Sequence, residues 1–487
     1  MIREHRQSSL GFERKLPSPH FHPRCSKPFA SHCDAGHHGE RTASNRMRRL
    51  APPTLERAEK RMKNLGTCVA VALISCCAVF SQPAAAESKC TAFDQWFTAS
   101  GITEPDYLNP QFQDSNDLKN ENCNFHRFSW HAFLWLTDKF NGAPRFDSLY
   151  SDAAIDPGAT APTEHVLDGV QQADSLGIVV DRNGRAVYTN MYINSIYRDF
   201  AISNQLYTRA GMQNASPKLD FKTGALSLKA AWKIVGAGED TSRFYTTTAK
   251  IQLLAKTGNT VGIPPQPRTA TVKVALVGFH IAWVVAGHPE AIWSTFEHVD
   301  NAPDFKPGQK PSQPVSDQSF TFYKAGTKAS DCNVNNASRL TLDERAQTLS
   351  PVTQVCRQFK YGGADETNLD NIQQLNADIL VRLVKSNSIW QYYREVGAVW
   401  IKDPLEPFHP DWSPNFDSGP VRGTQMLSNS VIETFTQNQV SKHQCFSCHN
   451  SMAVTDTNDL TLTLPGKDIS TSHILLRKYM NNPQIQR

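Results

Sequence analysis

The amino-acid sequence predicts an α+β fold: a β-rich main domain, built as an antiparallel sheet or sandwich, with flanking helices and a small C-terminal helical segment. Three observations predict it. Apolar runs of strand length alternate with turn signals over roughly 165–325. Before and after that zone, apolar residues recur at the three- and four-residue spacing of helices. The chain has 487 residues, 39% hydrophobic and 20% charged, which makes it globular and too long for one ordinary core.

In chain order, the first feature is charge. The sequence carries 50 Lys and Arg against 46 Asp and Glu, and the excess is uneven. Residues 1–86 hold 14 basic against 6 acidic side chains, the rest 36 against 40. A body that binds nucleic acid is basic, so no nucleic-acid partner is expected. Met62-Lys63-Asn64 opens a short basic stretch, an apolar run follows from Leu65 to Phe80, and Pro83-Ala84-Ala85-Ala86 places small residues ahead of Glu87. That order predicts a secretory signal peptide at 62–86, with cleavage before Glu87 and export to the periplasm. The apolar run is short for a membrane span, so no span is expected after cleavage. Residues 1–61 lack apolar periodicity and are expected to be a non-native or disordered extension ahead of a start at Met62.

The mature chain divides into a β-rich main domain at 87–360 and a helical region at 361–487. Phe125, Phe128, Ala132 and Trp135 predict a helix over 125–140, apolar all round and therefore buried. Gly177–Val180 and Ala186–Tyr188 flank Asn183-Gly184, a tight hairpin signal. Further strands are predicted over 225–235, 243–254, 271–285 and 319–323. Leu369, Ile372, Leu375, Ile379 and Leu383 predict a helix, and Leu427, Val431 and Phe435 predict another over 425–437. The aromatic stretch between them, from Trp390 to Phe416, reads equally as core or as a cofactor wall.

Six cysteines lie beyond the signal segment. Sequence proximity pairs Cys90 with Cys123 and Cys332 with Cys356, in keeping with an oxidising compartment. The remaining two form Cys445-Phe446-Ser447-Cys448-His449, the C-x-x-C-H attachment signature of haem c. Two thiols on one turn can each add to a porphyrin vinyl group, and the following imidazole can bind the iron as proximal ligand. A thioredoxin-like pair would follow a buried strand, a zinc site would need a second pair at ligand spacing, and a disulfide between these two would be strained.

At these residues the chain resembles the c-type cytochromes. Phe128-Ser129-Trp130-His131-Ala132-Phe133-Leu134, Ala231-Trp232-Lys233-Ile234-Val235, the stretch Ile292 to Pro303 and Glu433-Thr434-Phe435 resemble large exported bacterial cytochrome c family proteins, from about residue 125 to the C-terminus. The resemblance implies one covalent haem c and export, and no particular substrate. Soluble cytochromes c place the motif early in the domain, whereas here 38 residues follow His449. Met452 is too close to His449 to cross to the opposite ring face. Within the C-terminal tail that leaves Met480 as the expected distal ligand, with His473 two turns before it and a ligand from the main domain, or none, as alternatives.

Other chemistry is weakly signalled. His280, His288, Glu297 and His298 cluster in sequence, but His280 and His298 fall on different predicted elements, so structural histidines are expected. Gly236-Ala237-Gly238-Glu239 lacks the third glycine of a dinucleotide loop. Three function classes remain: a periplasmic electron carrier with a redox partner protein, a haem-dependent oxidoreductase whose β-rich domain holds substrate, and a haem-tethered binding or sensor module.

Overall fold

A computed structural model describes residues 89–480, apart from 111, 113–117, 158–165, 173–176, 364–365, 403–419, 438, 440–444 and 457–458. The expected extension at 1–61 and signal peptide at 62–86 lie outside the described residues, as do Phe408, Trp412 and Phe416. Two disulfides, Cys90–Cys123 and Cys332–Cys356, form as sequence proximity suggested, each with Cα atoms 5.6 Å apart.

The expected β-rich α+β architecture is present, as one sheet rather than a sandwich. Its strands are β1 (Tyr150–Ser151), β2 (Val166–Leu167), β3 (Val187–Ile193), β4 (Leu226–Ile234), β5 (Thr246–Gln252), β6 (Thr269–Val285), β7 (His288–His298), β8 (Tyr393–Ile401) and β9 (Val421–Gly423). They run in the order β9-β8-β7-β6-β4-β3-β1. β5 pairs with the first half of β6, and β2 lies parallel to β5. All other neighbours are antiparallel. β6 is the spine because its β-branched and aromatic residues (Val274, Val277, Phe279, Ile281, Trp283, Val284) suit a pleated surface buried on both sides. The expected division near residue 360 runs through this unit, since β8 and β9 complete the sheet begun before it.

Helices α1 (Leu118–Thr137) and α4 (Glu366–Lys385) occupy one face, as their spacing predicts. Phe125, Phe133 and Leu136 of α1 and Leu375, Ile379 and Leu383 of α4 join Tyr188, Leu228, Trp232, Phe279, Trp283, Phe296 and Trp400 in one core. Phe133 stacks on Phe296 with ring centroids 4.2 Å apart, and Phe125 stacks on Trp400 at 4.0 Å. The aromatic stretch that read equally as core or cofactor wall supplies Trp390, Tyr393 and Trp400 to this face as core.

The opposite face is covered by two separate pieces. Over one end lie Val431, Ile432 and Phe435, packed on Val187, Ala231 and Val277. A Cβ added at Gly278 of β6 would stand 3.0 Å from Val431, so this cover rests directly on the strand. Over the other end lie α2 (Ser195–Ser203), α3 (Arg209–Asn214) and α5 (His473–Met480), packed on Ile193, Ala282, Val284 and Ala291. The expected helix over 425–437 is instead a chain of turns. Polar side chains, one of its own and two from elsewhere in the chain, take backbone donors that a helix would use: Asn429 accepts from Val431 N, Gln172 from Thr434 N and Glu297 from Ser430 N. The strand expected over 319–323 reduces to a single bridge between Phe320 and Tyr323.

Candidate functional site

Between the two covers, one row of the sheet is left half-open. The register aligns Thr295 of β7, His280 of β6, Lys229 of β4 and Met191 of β3 side by side. In β6 every residue from Val274 to Val285 is buried except His280, and in β3 every residue is buried except Met191. Lys229 and Trp293 are likewise half-buried. Successive strand residues point to opposite faces, so these four share the face away from α1 and α4. They form the floor of a cleft.

The C-x-x-C-H motif borders that cleft. Cys445–Ser447 forms a short 3-10 turn, continued by a hydrogen bond from His449 N to Cys445 O at 2.8 Å. Phe446 anchors the turn, fully buried against Val396, Val399, Ile401 and Leu427. Its neighbours Cys445, Cys448 and His449 stay half-buried, and Cys445 and Cys448 belong to neither disulfide. Burial pushes the Cys445 thiol above its ordinary range, and the charge of Glu433 and the neighbouring Cys448 add to this.

His449 is held on three sides. Its ring lies 4.2 Å from that of Trp293 and stacks on His473 of α5 at 3.9 Å. Its Nδ1 lies 2.8 Å from the carbonyl of Thr471. A carbonyl only accepts, so Nδ1 carries the proton and Nε2 keeps its lone pair. Histidines that bind metals use this arrangement, with one nitrogen on a backbone carbonyl and the other on the metal. His473 in turn donates from Nε2 to the carbonyl of Cys448, at 3.2 Å.

The remaining walls are charged. Glu433, from the first cover, lies 3.4 Å from His280 Nε2 and accepts from Asn429 N at 2.9 Å. Burial pushes its carboxyl up, but the His280 and Lys229 charges outweigh this and hold it below its ordinary value. The Lys229 ammonium is lowered by burial and by Arg477, against the pull of Glu433. Arg477, one turn after His473 on α5, touches Met191 Sδ and lies 3.7 Å from Asp152.

These residues fit a covalently held porphyrin. Two thiols sit on one turn, the adjacent imidazole has its Nδ1 held by the Thr471 carbonyl, and a half-open row interrupts an otherwise covered sheet face. Cys445, Cys448 and His449 are brought together as the motif requires. Met480 is placed elsewhere, buried with Tyr197, Met212, Leu475 and Tyr479, and its carbonyl and that of Tyr479 receive the Arg209 guanidinium. Met191, Lys229, Glu433 and Arg477 line the candidate site and were missed by sequence reasoning, which singled out His280 but read it as a structural histidine. The available signal was a lone polar or thioether side chain inside an apolar strand, as at Lys229 and His280.

A separate cavity of about 290 Å³, lined by Asp304, Lys360, Tyr361, Asn376 and Arg394, includes none of these residues. Among the described residues, no group of three or more His, Cys, Asp or Glu is disposed to hold a bare metal ion. Comparison with protein-family models, with curated proteins and with solved structures finds no match.

Proposed function

We propose that the chain is an exported, periplasmic c-type cytochrome with one covalent haem c, attached through Cys445 and Cys448 and ligated by His449, which passes electrons to or from a redox partner protein. The observation that carries this reading is the His449 Nδ1–Thr471 hydrogen bond beside two half-buried thiols on the same turn. When bound, the haem supplies a one-electron couple whose potential follows its axial ligands, burial and hydrogen bonds. The protein's own part is to fix the His449 tautomer, to hold the ring between Trp293 and His473, and to cover the cofactor with the sheet. Export is supported by the signal pattern at 62–86 and is compatible with the two disulfides. Among the described residues, no helix is long and apolar enough to cross a membrane.

A second reading, a haem-dependent oxidoreductase with substrate held against the sheet, is favoured by one observation: the cleft floor and walls carry Lys229, His280, Glu433 and Arg477 rather than purely apolar cover. A low-spin iron with both axial positions filled supports the carrier, and a high-spin iron that accepts added ligands supports the enzyme.

The decisive experiment is expression with export and haem-attachment machinery, followed by haem staining after denaturing electrophoresis. Wild type and a Cys332→Ser variant are expected to stain, whereas Cys445→Ser with Cys448→Ser is expected to lose the stain completely. Stain retained by that double variant overturns the reading.

A further inference from the structure

We infer that His280, at the centre of the sheet, is the second axial ligand of the haem iron, and that Glu433 is its positioning partner. This rests on the haem reading of Cys445, Cys448 and His449 and goes beyond it by assigning the distal side to the main domain.

The proximal side is already filled by the tail. His473 stacks on His449 and its Nε2 is committed to the motif's own backbone at Cys448, so it lies beside the proximal imidazole rather than across from it. Met480, two turns further along α5, is packed into the apolar cluster of the second cover. Among the described residues, the remaining donors for the opposite side lie on the cleft floor. Of the floor residues, Met191, Lys229 and His280 carry atoms that bind iron. Met191 Sδ is in contact with the Arg477 guanidinium, which already places a positive group on the thioether. Lys229 carries a proton on its only donor atom until it is neutralised. His280 differs from both, because its ring has two nitrogens and can bind iron through one while the other keeps its proton toward Glu433.

Two further observations favour His280. It is the one position of the 274–285 run that neither cover closes, with 21% of its side chain exposed. Its Nε2 lies 3.4 Å from the Glu433 carboxylate, within ion-pair range, and ligating histidines commonly turn their second nitrogen toward a carboxylate.

The test uses the exported full chain, with haem staining, ferric optical and electron paramagnetic resonance spectra, and a redox titration for each variant. Wild type is expected to be low-spin. His280→Ala should keep its covalent haem, turn high-spin, and return to low-spin on addition of imidazole. His280→Met, which keeps the volume, should stay low-spin with a higher midpoint potential, because a thioether ligand raises it. Glu433→Gln should remain low-spin with a raised potential, which loss of packing alone would not produce. The assignment is overturned if wild type is high-spin, if His280→Ala or His280→Met has the native spectrum and potential, or if Met191→Ala or Met480→Ala is the variant that turns high-spin. A wild type without stain fails the haem reading itself, whereas stained protein with a native His280→Ala spectrum fails only this ligand assignment.

Discussion

The two faces of the central sheet follow different rules. Under α1 and α4 the covered rows are mainly apolar or aromatic: Phe296 meets Phe133, Trp400 meets Phe125, and Phe279 meets Phe146, while the buried Glu395 is paired with His126 of α1. On the other face, the covers stop on either side of Met191, Lys229 and His280, and the side chains that meet there are charged or able to coordinate metal. A face that serves only stability closes every row, because an open row forfeits dispersion contacts and strands polar groups. The second face leaves one row half-open where the C-x-x-C-H motif sits. The difference marks a candidate site by burial alone, without reference to the motif.

The contrast can be broken by truncating each face. Phe133 is fully buried between Phe279, Phe296, Trp390 and Tyr393. Phe133→Ala should cost about 3–5 kcal/mol in denaturant unfolding, through lost transfer energy and the cavity left behind. The haem stain of the folded protein should be unchanged. If Phe133→Ala abolishes haem attachment under conditions where the protein remains folded, the two faces are not functionally separate.

A smaller effect is expected at Met480, which the tail's spacing had suggested as distal ligand and which the second cover buries at 4% exposure. Met480→Ala should cost about 2–5 kcal/mol as a core truncation. Its spectrum and midpoint potential should stay native. A shift to high spin would make Met480 the ligand and move the distal side back to the tail.

How far the sequence reveals this arrangement depends on whether the determining contacts are local. α1 and α4 follow from their own periodicity. The hairpin at Asn183-Gly184 follows from a turn that needs a positive φ, and Gly184 has φ +76°. The C-x-x-C-H motif is legible because its spacing is written in five consecutive residues. β7 is not, because His288, Pro289, Glu290, Glu297 and His298 break any alternation. Two of these find partners far along the chain, Glu290 at Ile401 N and Glu297 at Arg357 and Ser430. β8 is buried on both faces and so also lacks a two-residue period. The cleft floor is the least legible part. Met191, Lys229 and His280 come together from three strands through a register that no local pattern states.

The mildest prediction uses pH and sharpens the contrast through two histidines on the closed face. His298 is fully buried, stacked on Phe244 at 3.8 Å; its Nε2–H donates to the Arg243 carbonyl, and its Nδ1 accepts from Asp300 N. Both nitrogens are thus satisfied by the neutral ring. Burial, with the nearby Arg243 and Arg394 charges, lowers its pKa to about 3 against the pull of the Arg243 carbonyl. His131, stacked on Trp96 at 4.5 Å, is lowered to about 4 by burial despite its bond to the Thr103 carbonyl. In the unfolded chain both take up a proton below about pH 6.5, while in the folded chain both stay neutral until pH 3–4. The unfolded state therefore binds more protons across that window, so stability is complete above pH 6.5 and is lost as pH falls. Between pH 6.5 and 5 each histidine should remove about 2 kcal/mol, measured as the change in unfolding free energy with pH. His298→Gln lowers stability at neutral pH through lost packing, but it should also flatten the acid slope by the share of one proton. An unchanged slope in His298→Gln would mean that the ring admits a second proton in the folded state, and that this face is less closed than its packing implies.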